Sequence, residues 1–364
     1  MLGRVPLNDV RRHTRAMVDQ LTLELERVLS RGWYILGPEN DIFEQAFAAY
    51  CGVTHAISVA NGTDALELAL RALGVQPGQA VATVGNAGFY ATTALLAIGA
   101  VPIFVDVDPE TQLMSLDALR CAVDRASPQC VVVTHLYGRL ADVEKIAEVC
   151  GARGIPVIED CAQAHGAKRG NRRAGSFGAA GCFSFYPTKN LGALGDGGAV
   201  VTHDLNTANC VRSLRQYGWE DKYRVTRRQG RNSRLDEIQA AVLHAKLPYL
   251  DDWNSRRREI ARRYTREISH PGVKCPTGFG DDHVAHLYVI RCENRDGLRG
   301  HLESEGIATE IHYPIPDHHQ PAFDFNSSGL PVTERLADEV LTLPCFPEMT
   351  EDEIIRVIRA INAW

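Results

Sequence analysis

The chain has 364 residues, 45% of them hydrophobic and 23% charged, with a net charge of −6 at neutral pH. This length exceeds what one compact core usually holds, so we expect two lobes. The acidic balance gives no sign of a surface for nucleic acid or anionic lipid. No apolar run approaches the roughly 20 residues of a membrane-spanning helix. The N-terminus lacks the apolar stretch of a secretory signal.

The ten cysteines are scattered along the chain, and no two of them form a C-x-x-C pair. Zinc sites and disulfide frameworks both show characteristic cysteine spacings, which are missing here. We therefore expect reduced thiols that pack as small apolar side chains, and a location in the cytoplasm. We expect no bound metal.

Short apolar runs alternate with helical patterns between residues 50 and 205. Strands are predicted at residues 56–60, 80–84, 101–106, 130–135 and 156–160. Helices are predicted at residues 63–73, 90–98, 115–124 and 142–150. The alternation favours a mainly parallel sheet covered by helices on both faces. In such a sheet, ligands gather at the carboxyl ends of the strands.

The last third of the chain predicts a smaller α/β lobe. A helical pattern begins at residue 235 and is interrupted by Pro248, which cannot continue a helix. Two strands are predicted after it, at residues 286–291 and 307–312. Three helices are predicted at residues 253–268, 296–305 and 350–361. We place a large domain, with an N-terminal arm and helix, at residues 1–250 and a small domain at residues 251–364.

Two segments carry the most chemical information, IEDCAQAHGA (158–167) and FSFYPTKNLGALGDGG (183–198). Of the six lysines, only Lys189 follows a predicted apolar strand and precedes a glycine run that lets the backbone approach a ligand. Asp160 ends the strand predicted at residues 156–160, which comes 29 residues before Lys189. Pyridoxal phosphate chemistry needs a lysine that holds the cofactor aldehyde as a Schiff base, and a carboxylate that keeps the pyridine nitrogen protonated. Lys189 and Asp160 are the candidates for these two roles.

A phosphate site is predicted where NGTDALELAL (61–70) opens a helix directly after a strand. The free N–H groups and the dipole of a helix N-terminus attract anions. Gly62, Thr63 and Asp64 are therefore the candidate phosphate anchors. Ser184, on the strand that precedes Lys189, is a candidate further donor.

These motifs, together with GPE at 37–39, HLYG at 135–138, NSRLDEIQAA at 232–241 and LPCFPEMT at 343–350, resemble the DegT/DnrJ/EryC1/StrS sugar aminotransferases. This resemblance implies the α/β architecture of a fold type I pyridoxal phosphate enzyme, with a mostly parallel seven-stranded sheet in the large lobe and a smaller C-terminal α/β lobe. It also implies glutamate as amino donor, a keto-sugar on a nucleotide diphosphate as acceptor, and a homodimer with shared active sites.

The resemblance also implies roles for individual residues. Gln163 would donate a hydrogen bond to the ring hydroxyl oxygen of the cofactor, and Phe89 would stack on its ring. Many relatives have Pro-x-Asn-Thr-aromatic where this chain has VGNAGFY (84–90), so Tyr90 is the alternative stacking residue. Asn232 would reach the cofactor phosphate across the dimer interface; otherwise it caps the helix that follows it.

Candidate substrate contacts come from several segments: His135, Tyr186, His312, Tyr313 and His318. The histidines of IHYPIPDHHQ (311–320) do not present ligands on one helix face, which argues against a metal. For His165, a structural role and a substrate contact are equally compatible with the sequence. The GALGDGG run (192–198) leads into a strand rather than a helix, so we exclude a dinucleotide site.

Three other functions are weighed against this one. An aminotransferase for a cyclitol ketone would share the same motifs. A sugar dehydratase of the same family would carry histidine at the position of Lys189. A regulator that reuses the fold without catalysis would lose this lysine or carry a DNA-binding segment, and the chain shows neither feature.

Overall fold

A computed structural model describes residues 3–325 and 329–364. The α-helices are α1 Val10–Ala16, α2 Val18–Arg31, α3 Pro38–Cys51, α4 Gly62–Ala72, α5 Tyr90–Ala97, α6 Leu116–Ala126, α7 Val143–Gly151, α8 Leu205–Leu214, α9 Glu237–Lys246, α10 Leu250–Glu267, α11 Arg295–Ser304, α12 Pro331–Glu339 and α13 Glu351–Asn362. The strands are β1 His55–Val59, β2 Ala80–Val84, β3 Val101–Val105, β4 Cys130–Thr134, β5 Val157–Asp160, β6 Lys168–Arg169, β7 Arg172–Arg173, β8 Ala180–Ser184, β9 Gly198–Thr202, β10 Trp219–Asp221, β11 Arg224–Val225, β12 Tyr288–Arg291 and β13 Val340–Leu343.

The large lobe is built on a seven-stranded sheet in the order β1-β9-β8-β5-β4-β2-β3. The strands from β8 to β3 pair in parallel, whereas β9 runs antiparallel to both β1 and β8. Every residue of β4, β5 and β9 is buried, as expected for a sheet with helices on both faces. The predicted fold class is confirmed.

The sheet brings the predicted site segments to one edge. The carboxyl ends of β4 and β5 lie side by side, with Thr134 paired to Asp160. The reversal between β8 and β9 holds Lys189, and Gly198 at the start of β9 pairs with Val59, directly before the turn into α4. The phosphate anchors and the lysine loop therefore meet beside Asp160.

The small lobe has its own hydrophobic core, which includes Tyr264, Tyr288 and Phe346. It is built on the antiparallel pair β12 and β13, packed with α10, α11 and α13. The strand predicted at residues 307–312 is wrong, because this segment forms only isolated bridges, from Ile307 to Val5 and from Glu310 to Thr342. The partner of β12 is β13, a strand that was not predicted.

The division of the chain at residues 250 and 251 stays a prediction; α10 begins at Leu250. No helix in the described ranges is both long enough and apolar enough to cross a membrane.

Candidate active site

A cavity of 640 Å³ lies at the carboxyl ends of the central strands. Nine of the predicted site residues line it: Gly62, Thr63, Asp160, Gln163, Ser184, Tyr186, Lys189, His312 and Tyr313. They come from four separate stretches of the chain, at residues 62–63, 160–163, 184–189 and 312–313, so folding is what gathers them.

Lys189 and Asp160 are charged groups that both line the cavity. Burial lowers the pKa of Lys189 to about 8, and the nearby Asp160 carboxylate opposes this shift. Burial raises the pKa of Asp160, and its hydrogen bond from the Ala162 N–H (3.1 Å) and the charge of Lys189 oppose that shift in turn. A buried carboxylate of this kind is suited to pair with a cationic ring nitrogen.

The start of α4 forms a narrow cradle for an anion. Asn61 caps the helix, with its side-chain oxygen accepting from the Asp64 N–H at 2.8 Å. A Cβ atom on Gly62 would lie 2.6 Å from the Cβ of Ser184, so only glycine permits this close approach. Of the three predicted anchors, Gly62 and Thr63 line the cavity, whereas the Asp64 side chain forms an ion pair with Arg231 (3.2 Å).

The structure distinguishes between the two candidate stacking rings. Tyr90, the first residue of α5, lines the cavity. Phe89 does not: its backbone is left-handed (φ 70°), and its ring packs against Phe323 with 5.2 Å between centroids. The placement of Phe89 therefore does not fit the predicted stacking role, and the structure favours Tyr90.

Gln163 lines the cavity and links Tyr137 to Tyr313. Its side-chain oxygen accepts from the Tyr137 N–H at 2.6 Å, and its amide nitrogen donates to the Tyr313 hydroxyl at 3.0 Å. The amide group carries a second hydrogen, which leaves one donor for a ligand.

Tyr186, His312 and Tyr313 were predicted as substrate contacts, and all three line the cavity. Tyr186 is half exposed, and the His312 Nδ1 lies 2.8 Å from the Thr342 hydroxyl. Burial lowers the pKa of His312 to about 4, so its imidazole is neutral at physiological pH. Burial raises the pKa of Tyr313, which keeps its hydroxyl protonated.

Two predicted substrate contacts lie outside the cavity. His135 is fully buried, with Nε2 2.9 Å from Glu159 and Nδ1 accepting from the Ala141 N–H at 3.1 Å. His318 is buried with Nε2 3.0 Å from Glu334, which also accepts from the N–H of the residue before α12. Both imidazoles are held by internal partners, so their placement does not fit a substrate role.

Asn232 is exposed and forms a bridge with Gln216, away from the cavity of its own chain. Its predicted reach into a second copy stays a prediction. His165 is buried beside the rings of Phe183 and Phe185, and burial lowers its pKa to about 3. Since it does not line the cavity, its placement favours the structural role.

Several lining residues were not among the predicted site residues. Leu7 and Asn8 come from the N-terminal arm, and His286 and Cys345 come from either side of the small-lobe strand pair. The His286 Nδ1 lies 2.9 Å from the side-chain oxygen of Asn190, next to Lys189. Cys345 stands in LPCFPEMT (343–350) and His286 opens the predicted strand at 286–291, but neither pattern indicates a ligand contact, and Leu7 and Asn8 stand in no motif.

The model of the DegT/DnrJ/EryC1/StrS aminotransferase family matches residues 16–362. The chain belongs to this family. Relatives in it include the dTDP-3-amino-3,4,6-trideoxy-alpha-D-glucose transaminase of Streptomyces venezuelae, 42% identical over 99% of this chain and 96% of its own length. The dTDP-3-amino-3,6-dideoxy-alpha-D-galactopyranose transaminase of Aneurinibacillus thermoaerophilus is 43% identical over 99% of both chains. The X-ray structure of DesV from S. venezuelae in complex with a ketimine intermediate matches with a TM-score of 0.96 and 41% identity, over 100% of this chain and 98% of that one.

Membership in this family confirms the predictions of an aminotransferase and of pyridoxal phosphate as its cofactor. The residues of the cavity fit that cofactor. Lys189 is a buried amine with a lowered pKa, Asp160 is a buried carboxylate, and Gly62 keeps the start of α4 open to an anion.

Proposed function

We propose that this enzyme transfers an amino group from glutamate to a keto-sugar carried on a nucleotide diphosphate, with the keto group at C3. One observation carries the proposal: Lys189 and Asp160 lie in the same cavity as the helix N-terminus of α4. The position of the keto group is supported by the two related transaminases, both of which are named for 3-amino sugars on dTDP.

Five residues of the cavity would take part directly in this reaction. Bound pyridoxal phosphate supplies an electron sink for the carbanion at the substrate Cα. Gly62, Thr63 and Ser184 bind its phosphate, and Asp160 holds the proton on its ring nitrogen. Lys189, with a pKa near 8, would accept the Cα proton as a neutral amine and deliver it to C4′, the cofactor carbon on the other side of the amino nitrogen.

The wall from the small lobe suits a hydroxyl-rich acceptor. His312 is neutral because burial lowers its pKa to about 4, and Tyr313 keeps its proton because burial raises its pKa. Neutral side chains of this kind can donate and accept hydrogen bonds to sugar hydroxyls. They add no charge that would interact with Asp160 or Lys189.

We also infer that the enzyme is a cytoplasmic homodimer whose partner supplies Asn232 to each site. Exposed apolar residues support an interface: Leu23 and Leu29 on α2, followed by Trp33 and Tyr34, are 46–66% exposed in the single chain. All ten cysteines are free, which suits a reducing compartment.

Single-turnover chemistry tests the donor half. Purified enzyme loaded with pyridoxal phosphate should convert one equivalent of glutamate to 2-oxoglutarate per site and lose its visible absorbance band. Lys189→Ala should do neither, whereas Lys145→Ala, at an exposed position on α7, should match the wild type. Failure of the wild type with glutamate would overturn the donor assignment.

A panel of acceptors tests the second half. The enzyme, once it has taken the amino group from glutamate, is mixed with a 3-keto nucleotide sugar, a 4-keto nucleotide sugar and a cyclitol ketone. We expect the absorbance band to return only with the 3-keto sugar. Return with the 4-keto sugar would contradict the position, and return with the cyclitol ketone would contradict the substrate class.

A further inference from the structure

Asp317 is a buried carboxylate in the segment that carries His312 and Tyr313, and it is 1% exposed. Its two oxygens accept from the Phe89 N–H (2.9 Å) and from the Thr92 hydroxyl (2.5 Å) at the start of α5. Its own N–H donates to the Gly85 carbonyl (2.8 Å). Phe89 has no side chain that could cap α5, so Asp317 caps this helix from more than 200 residues away in the chain.

This cap joins two segments that both reach the cofactor cavity. Tyr90 follows Phe89 and begins α5, and Tyr313 precedes Asp317 by four residues. Both tyrosines line the cavity, with 6.3 Å between their ring centroids. Gly88 has a φ of +78°, and a Cβ there would lie 2.8 Å from the Tyr313 ring, so the turn packs directly under this tyrosine.

Among the described residues, none of the hydrogen-bond partners of Asp317 is a cation that would compensate its charge. Those that face it are the Phe89 N–H and Thr92 hydroxyl of α5 and the Gly85 carbonyl of the turn, while Tyr313 is the nearby titratable group on its own segment. The neighbouring His318 pairs with Glu334 instead. Burial raises the pKa of Asp317 to about 7. A buried charge of this kind costs stability, so its benefit must lie elsewhere.

We propose that Asp317 is a positioning residue, which holds Tyr90 and Tyr313 in the wall of the cofactor cavity. Through Tyr90 it would affect the affinity for pyridoxal phosphate, and this first effect does not depend on which substrates the enzyme uses. Through Tyr313 it would act on the KM of the acceptor, and this second effect rests on the proposed function.

Two substitutions separate positioning from packing. Asp317→Asn keeps an oxygen for the Phe89 N–H and an amide for the Thr92 hydroxyl, whereas Asp317→Leu fills the space and offers neither. We expect Asp317→Leu to raise the dissociation constant of pyridoxal phosphate about tenfold, because a displaced Tyr90 would lose its stacking contact with the cofactor ring. Asp317→Asn should stay close to the wild type. Asp338→Leu, at an exposed position on α12, is the control.

Cofactor affinity that is unchanged in Asp317→Leu would overturn the proposal, as would an equal loss in Asp317→Asn. If Asp317→Leu does not fold, Thr92→Val provides the same test, because it removes only the hydroxyl that donates to Asp317. We expect a severalfold weaker cofactor affinity from Thr92→Val, and wild-type affinity would again overturn the proposal.

The apoprotein offers a readout that does not depend on activity. The pKa of Asp317 is higher in the folded chain, about 7, than its ordinary value of 3.8. The stability linked to it is therefore complete below pH 3.8 and is lost as the pH rises through about 7. Between pH 5 and pH 8 the melting temperature of the wild type should fall relative to that of Asp317→Asn. Parallel curves would show that Asp317 is not the strained, buried carboxylate on which the inference depends.

The acceptor assay separates this inference from the proposed function. If the wild type aminates no 3-keto nucleotide sugar, the proposed acceptor is wrong, and the cofactor-affinity test of Asp317 still stands. If the wild type is active, Asp317→Leu should raise the KM for the sugar more than it changes the rate of the glutamate half-reaction. An unchanged KM would contradict the effect through Tyr313.

Discussion

Lys189 and Asp160 set each other's protonation at the residue scale. Burial penalises both charges, so it lowers the pKa of the lysine to about 8 and raises that of the carboxylate. Their mutual attraction opposes both shifts. The neutral amine that the chemistry needs is therefore available near physiological pH.

The rate at which the apoprotein captures pyridoxal phosphate should rise with pH and level off above about 8, because only the neutral amine of Lys189 attacks the aldehyde. In Asp160→Asn the midpoint should move to lower pH, since the carboxylate that supports the ammonium form is gone. Stopped-flow absorbance across a pH series measures both midpoints. A wild-type midpoint near the ordinary lysine value of 10.5 would contradict the buried environment.

The glycine at the start of α4 gives a second prediction at this scale. Gly62→Ala should weaken cofactor binding, because the new methyl group would lie 2.6 Å from the Ser184 Cβ and push the helix away from the loop. Gly151→Ala is the matched control, as nothing lies within 4 Å of a Cβ there. Titration with pyridoxal phosphate compares the two variants. Equal affinities would show that the start of α4 can move away from Ser184 without loss of cofactor binding.

At the scale of the element, the strand β5 serves two sites because successive side chains point to opposite faces of a sheet. Asp160 lines the cofactor cavity, whereas Glu159 faces away from it. The Glu159 carboxylate accepts from the N–H groups of Gly175, Phe177 and Gly178 at 2.7–3.0 Å, and from His135. His135 thus belongs to a structural cluster that supports the strand.

Glu159→Gln should lower the free energy of unfolding by about 1–3 kcal/mol, because its amide NH₂ must face an N–H donor that then has no acceptor. The KM values of both substrates should be unchanged. Urea unfolding and steady-state kinetics measure the two quantities, with exposed Glu148→Gln as control. If Glu159→Gln raised a substrate KM and left the stability at the wild-type value, the His135–Glu159 pair would have a substrate role after all.

At the scale of the whole molecule, the cavity is lined by segments that are distant in the chain. The N-terminal arm contributes Asn8, the large sheet contributes Asp160, and the segment after the small-lobe helix α11 contributes Tyr313. The proposed dimer would add Asn232 from a second copy. Shared sites of this kind make a test by complementation possible.

Dimers of Lys189→Ala and dimers of Asn232→Arg should each be inactive. After unfolding and joint refolding, a mixed dimer holds one site with both native residues, so an equal mixture should recover roughly a quarter of the wild-type activity. Sedimentation of the wild type gives the oligomeric state independently. No recovery from a confirmed mixed dimer would show that Asn232 serves its own chain or neither site.

The alternation of strands and helices, the glycine-flanked Lys189, Asp160 at a strand end and the α4 phosphate turn could all be predicted from the sequence. These features depend on local patterns, and the parallel sheet places the carboxyl ends of its strands at one edge. Local pattern failed at residues 307–312, because strand pairing depends on a partner, and Val340–Leu343 occupies the place beside β12.

Other features depended on the tertiary structure. Phe89 and Tyr90 are adjacent aromatic residues, and the sequence does not distinguish between them. Phe89 has a left-handed backbone, and its N–H donates to the distant Asp317. This turn places Tyr90 in the cavity. His135 stands at a strand end like Asp160, yet Glu159 and the Ala141 N–H occupy both of its nitrogens. The sequence by itself determined which chemical groups are available, and long-range hydrogen bonds and packing decided which of them face the ligand.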